Sequence, residues 1–167
     1  MLVIDLRKPA AERARFRVYS FILIVGALGA VFGMGVDSVT SQLSAEYFIF
    51  GKGLAAGSSF TGEVLALGAK AGFSGALLVG CLFSYFNPDK RNVARLYRYL
   101  IWPVTFSLAF GAVLGIWQYT SNAVTLEQIA FLPPEQARMF TSVWMVHAGI
   151  YCGALISLPI ACYKIGH

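Results

Sequence analysis

Eight polar side chains stand out in an otherwise apolar chain: Asp37, Gln42, Glu46, Glu63, Lys70, Gln118, His147 and Tyr151. Lys70 follows Glu63 by seven residues, so on a helix the two share a face with about 10 Å of rise between them. Tyr151 follows His147 by four and shares its face. Carboxylates, an amine and an imidazole held at one depth can form a polar vestibule, bind a cation or hand on a proton. Each also has a plainer reading. Lys70 can snorkel to the nearer surface, and His147 can be a hydrogen-bonded core histidine.

Particular chemistries ask for more. Zinc needs His147 with two or three carboxylates, and Asp37, Glu46 and Glu63 show no ligand spacing. A b-type haem wants two axial histidines at matched depth; His147 lies in an apolar run and His167 at the opposite surface. Neither haem, metal nor another cofactor is expected. A proton path can begin with His147 and Asp37 or Glu63, but the other half of the apolar runs holds no ionisable relay. Conduction through a single subunit is therefore not expected.

The elements that position these residues follow from composition. The chain has 167 residues, 57% hydrophobic and 13% charged, with a mean hydropathy of +0.67. Its charged fraction is roughly half the usual ~25% of a soluble domain. Four runs, about 19–36, 64–86, 99–119 and 141–163, reach or approach the ~20 residues that cross a bilayer. Lipid offers backbone groups no partner, so such runs must be helices. The fold class is all-α: an integral membrane four-helix bundle in one domain, with a lead at 1–18 and outer loops at 37–63 and 120–140. A basic start followed by an apolar run also fits a signal peptide. No small-x-small site precedes the polar exit, so the first run is expected to be retained.

Arg7, Lys8, Arg13, Arg15 and Arg17 precede the first run, Lys90, Arg91, Arg95 and Arg98 separate the second from the third, and Lys164 closes the fourth. The other side has only Lys52 and Arg138. This asymmetry puts both termini and the middle loop on the cytoplasmic side of the membrane. The net charge of +5 reflects that topology; no basic face interleaved with aromatics invites nucleic acid. Tyr47, Trp117, Tyr119 and Trp144 suit one interfacial belt; Tyr97, Tyr99, Trp102 and Tyr163 suit the other. Cys81, Cys152 and Cys162 form no CxxC pair and read as small buried hydrophobes.

Small residues recur at spacings of four: Gly29 and Gly33, Gly68 and Gly72, Gly111 and Gly115, Gly149 and Gly153. They let helix backbones approach closely, and a second small face on a helix can serve an oligomer. Between the first two runs, Val39–Phe50 alternates in parity like a strand. The Val36–Gly53 strip is therefore expected to lie extended across the outer mouth as a lid. The 1–17 segment reads as a short amphipathic lead on the membrane surface, with a helical turn from Ala10 to Arg17.

The segment Asp37-Ser-Val-Thr-Ser-Gln-Leu-Ser-Ala-Glu-Tyr-Phe resembles the signature of a family of small four-span bacterial membrane proteins of no established activity. Members read HDQ(I/V)T…SPEYF here and carry a His…Tyr-x-Gly pattern in the last helix. Asp37, Thr40, Ser44, Glu46, Tyr47 and Phe48 match, as do His147, Tyr151 and Gly153. Val36, Ser38 and Ala45 stand where the family has His, Gln and Pro. The resemblance implies architecture and candidate positions, and no reaction.

These readings converge on a non-enzymatic membrane protein, an accessory or self-assembling subunit with a polar site at its outer face. Its partners would be the bilayer and either copies of itself or a larger membrane complex. Two alternatives stay open: a small oligomeric channel or carrier with Lys70, Glu63 and His147 at its entrance, and a membrane enzyme or metal site using Asp37, Glu46 and His147.

Overall fold

The computed structural model describes residues 10–89 and 92–167. The expectations for Arg7, Lys8, Lys90 and Arg91, and for the first nine residues of the lead, lie outside the described residues.

Among the described residues the chain is helical without strands, and four long apolar helices make a membrane bundle. They are α1 (Ala10–Leu43), α2 (Phe60–Phe86), α3 (Ile101–Ser121) and α4 (Pro134–Gly166), joined by short turns of helix at Tyr47–Gly51, Ala94–Leu100 and Glu127–Ile129. Two sequence expectations fail at α1. Ala10–Arg17 is no separate surface helix but the first turns of α1 itself. At the other end α1 runs on through Leu43, where an extended strip was expected.

The cause is visible in the side chains. Thr40 Oγ1 donates to Val36 O at 2.9 Å, Ser41 Oγ to Ser38 O at 3.1 Å, and Gln42 Nε2 to Ser38 O at 3.2 Å. Polar groups that suggested strand parity are satisfied by the helix's own carbonyls three and four residues back. Ser44 then ends the run, its Oγ accepting from Tyr47 N at 3.3 Å.

The helices pair as two hairpins, α1 with α2 and α3 with α4, and the hairpins meet mainly through α4. In lipid no hydrophobic drive holds helices together, so dispersion between closely approaching backbones must do so. The glycines permit it. A Cβ on Gly68 would lie 2.5 Å from Gly33 O, and one on Gly149 2.5 Å from Phe110 O; Gly29 with Gly72, and Gly153 with the Phe106 carbonyl, are at least as tight. All eight glycines with the four-residue spacing are spent inside the chain.

Two apolar clusters close the ends. Phe21, Phe83, Leu96 and Ile165 pack at the end where α1 begins and α4 finishes, and Tyr47, Phe48, Val64, Phe140 and Val143 at the other. Elsewhere the apolar surface faces outward: only 17–33% of each span's most apolar window is buried by the chain itself. Cys81 and Cys152 share that outward surface, and Cys162 alone of the three is buried.

Gly72→Val tests this packing, because the added branches meet the backbone of Gly29 and Gly33. It should cost roughly 1–3 kcal/mol, the usual range for overpacking. Gly75→Ala meets nothing within 4 Å and should be neutral or stabilise by roughly 0.5–1 kcal/mol, as expected inside a helix. Thermal unfolding in detergent, followed by circular dichroism, reads both; equal midpoints for the two variants would contradict the close approach.

Candidate functional site

Asp37, Thr40 and Ser44 are spaced three and four apart and form one buried face at the outer end of α1. On α4, Phe140, Val143 and His147 have the same spacing and are also buried. The two faces meet. Thr40 Oγ1 lies 3.3 Å from His147 Nε2, and Asp37 Oδ1 lies 3.8 Å from the same nitrogen. With its proton on Val36 O, the Thr40 hydroxyl offers the imidazole a lone pair, which the tautomer protonated at Nε2 can use. Twenty residues separate Arg17 from Asp37, about 30 Å of helix and the thickness of the hydrocarbon layer. The pair therefore sits at the edge of the apolar zone opposite Arg17.

Gly68 makes room for the carboxylate: a Cβ there would fall 3.0 Å from Asp37 Oδ2. The helix contact and the polar pair thus depend on the same missing side chain.

The turn after α1 covers the pair. The Tyr47 ring stacks on the imidazole with centroids 5.0 Å apart and planes 21° apart, and Phe48 meets it edge-on at 6.1 Å. Tyr47 also packs edge-to-face on Phe140 at 5.5 Å. It is 3% exposed and Phe48 is 0% exposed, so the belt position expected for Tyr47 is replaced by a place in the core. Burial raises the Tyr47 hydroxyl above its ordinary value, and the charges of Tyr151 and Asp37 push the same way. It remains protonated at neutral pH. Lys52 Nζ stands 5.3 Å from the Tyr47 ring centroid and brings one positive charge to the rim.

Of the eight side chains singled out from sequence, Asp37 and His147 come together, while Tyr151, one turn beyond His147, is exposed. The others do not join them. Gln42 is exposed and turned back to Ser38 O. The Glu46 carboxylate accepts from Ser44 Oγ at 3.0 Å, and that of Glu63 accepts from Ser59 Oγ at 2.7 Å. Lys70 lies on the exposed flank of α2. Gln118 is fully buried in a site of its own: Nε2 donates to Val124 O at 2.7 Å and to Thr141 Oγ1 at 2.9 Å, and Oε1 accepts from Val124 N at 3.0 Å. It pins the second outer loop to α3 and α4.

Thr40, Tyr47, Phe48 and Lys52 complete the cluster; the first three are positions that the family resemblance marks, and none is among the eight side chains. The helical spacing of Asp37, Thr40 and Ser44 was the signal for Thr40, and the parity reading hid it. Among the described residues no three His, Cys, Asp or Glu side chains are grouped to hold a metal ion.

A double-mutant cycle on Asp37→Ala and His147→Ala should return a coupling of roughly 0.5–3 kcal/mol, the range for residues in contact. Additive losses in unfolding free energy would mean that the two do not interact. Gln118→Leu removes the partner of the part-buried Val124 N–H and C=O and should cost about 0.5–1.5 kcal/mol per bond lost, visible as a lower unfolding midpoint. Compared with known proteins, the chain matches no family model, no curated protein and no solved structure.

Proposed function

We propose that this chain, a multi-pass membrane protein by the length and composition of its helices, is non-enzymatic: an accessory or self-assembling subunit of a complex in the bacterial cytoplasmic membrane, with both termini in the cytoplasm. The observation that carries this reading is the closure of the Asp37–Thr40–His147 cluster beneath Tyr47 and Phe48. A group that must meet a substrate needs an approach, whereas a group that holds two helices together needs cover. Covered in this way, the cluster clasps α1 to α4 and leaves the outward surface for lipid and neighbouring proteins.

Three further features support it. Lys52 and Arg138 are the basic residues near the outer turns, against Arg13, Arg15, Arg17, Arg95, Arg98 and Lys164 at the terminus-bearing end. The two segments that resemble the four-span family contribute Asp37, Thr40, Tyr47, Phe48 and His147 to one cluster, so the likeness fits an architectural role. Most of each span's apolar surface stays open. With the paired glycines spent internally, a partner helix must use those open flanks rather than the small-residue faces. The channel alternative asks Lys70 and Glu63 to share an entrance with His147, while Lys70 is exposed on α2 and Glu63 is held by Ser59.

Purification from its native membrane in a mild detergent, with light scattering to weigh the particle, tests the assembly. The protein mass should exceed the 18.1 kDa of one chain. A particle of one chain with no second protein would overturn the subunit reading.

A further inference from the structure

At the terminus-bearing end a hollow of about 510 Å³ opens between the Ala94–Leu100 turn, the start of α3 and the end of α4. Its walls are Arg98, Tyr99, Trp102, Tyr163, Lys164 and His167. We propose that this hollow binds the phosphate-bearing headgroup of an anionic phospholipid, with an acyl chain lying along the adjoining flank of α3 and α4.

The charge is arranged for an anion. Two permanent cations line the hollow and no Asp or Glu side chain does. The Arg98 guanidinium lies 4.8 Å from the Tyr99 ring centroid and Lys164 Nζ lies 4.5 Å from that of Trp102. Among the described residues neither cation pairs with an acid. Arg98 uses one bond, from Nη2 to Tyr99 Oη at 2.7 Å, and its fork retains donors for a phosphate.

The end of a helix ordinarily repels an anion through its free carbonyls. Here three of the last four are covered. Tyr99 Oη donates to Lys164 O at 3.1 Å, Arg95 Nη2 donates to Ile165 O at 2.9 Å, and His167 Nδ1 lies 3.0 Å from Tyr163 O.

The apolar surroundings favour a lipid over free phosphate. Trp102 heads a ladder of rings on α3, with Phe106 at 6.0 Å and Phe110 a further 6.2 Å along. On α4, Ile160 and Ile156 precede Tyr163 by three and seven residues and are exposed. A basic, aromatic hollow opening onto such a strip matches a headgroup joined to its chain. A soluble anion would use only the rim.

Full-length protein in phosphatidylcholine nanodiscs, in a Trp117→Phe/Trp144→Phe background, leaves Trp102 as the chain's sole tryptophan, to be excited selectively over the tyrosines. Phosphatidylglycerol with brominated chains should quench it more strongly than brominated phosphatidylcholine at equal mole fraction. Arg98→Gln and Lys164→Gln should each lower that preference about fivefold, the usual worth of one basic residue at an anionic surface. Lys164→Arg should keep it. Lys164→Gln leaves the Tyr99 bond intact, because its acceptor is a main-chain carbonyl. Equal quenching by the two brominated lipids would overturn the proposal. Inorganic phosphate should leave the quenching unchanged; displacement of the brominated phosphatidylglycerol by it would reassign the hollow to a soluble anion.

Discussion

Close approach of helix backbones is the constraint from which the rest of this molecule follows. Lipid tails are as apolar as the side chains they touch, so nothing squeezes α1 onto α2 as water would. Contact has to come from atoms that fit. With glycine at 29, 33, 68 and 72 the two backbones touch directly, and the register between the helices has little freedom. That register sets Asp37 over Gly68, in space that a Cβ would fill. The polar clasp is thus a consequence of the apolar packing, although it draws attention first.

Within the clasp, an aspartate and a histidine at the edge of the hydrocarbon layer are costly unless each finds a partner. The design answers with one imidazole nitrogen facing both Thr40 and Asp37, and with aromatic cover from the turn that follows. Breaking half of such a pair costs more than removing all of it, which makes the arrangement a poor source of net stability and a good source of specificity. In this alignment of α4 against α1 the two groups face each other. The pair therefore selects how the second hairpin docks on the first.

Much of the architecture was legible because it depends on composition and period. Apolar length placed the four helices, and small residues four apart marked the faces that now touch. Depth was also legible for Asp37 and His147, because rise per residue is a fixed quantity. Azimuth was not. Lys70 and Glu63 have suitable heights but sit on other sides of α2, since a helix turns through 100° per residue and a short window does not fix which side meets a neighbour. Val39–Phe50 misled for a different reason: Thr, Ser and Gln can bond back to their own helix, so polarity at alternate positions did not mean a strand. Gln118 was recognised as polar but not as a loop anchor, because its partners Val124 and Thr141 lie in separate segments.

The pairing of neighbours in sequence has a consequence for biosynthesis. Each glycine-lined hairpin is made of consecutive segments, so the first can close while the second is still on the ribosome. Asp37 then waits for most of translation without its imidazole, since His147 is 110 residues downstream. During that interval the nascent chain presents a lone acid at the rim of the bilayer, a mark by which a half-made molecule differs from a finished one. Membrane chaperones and proteases that sense exposed polar groups would read completion of this protein from that one position.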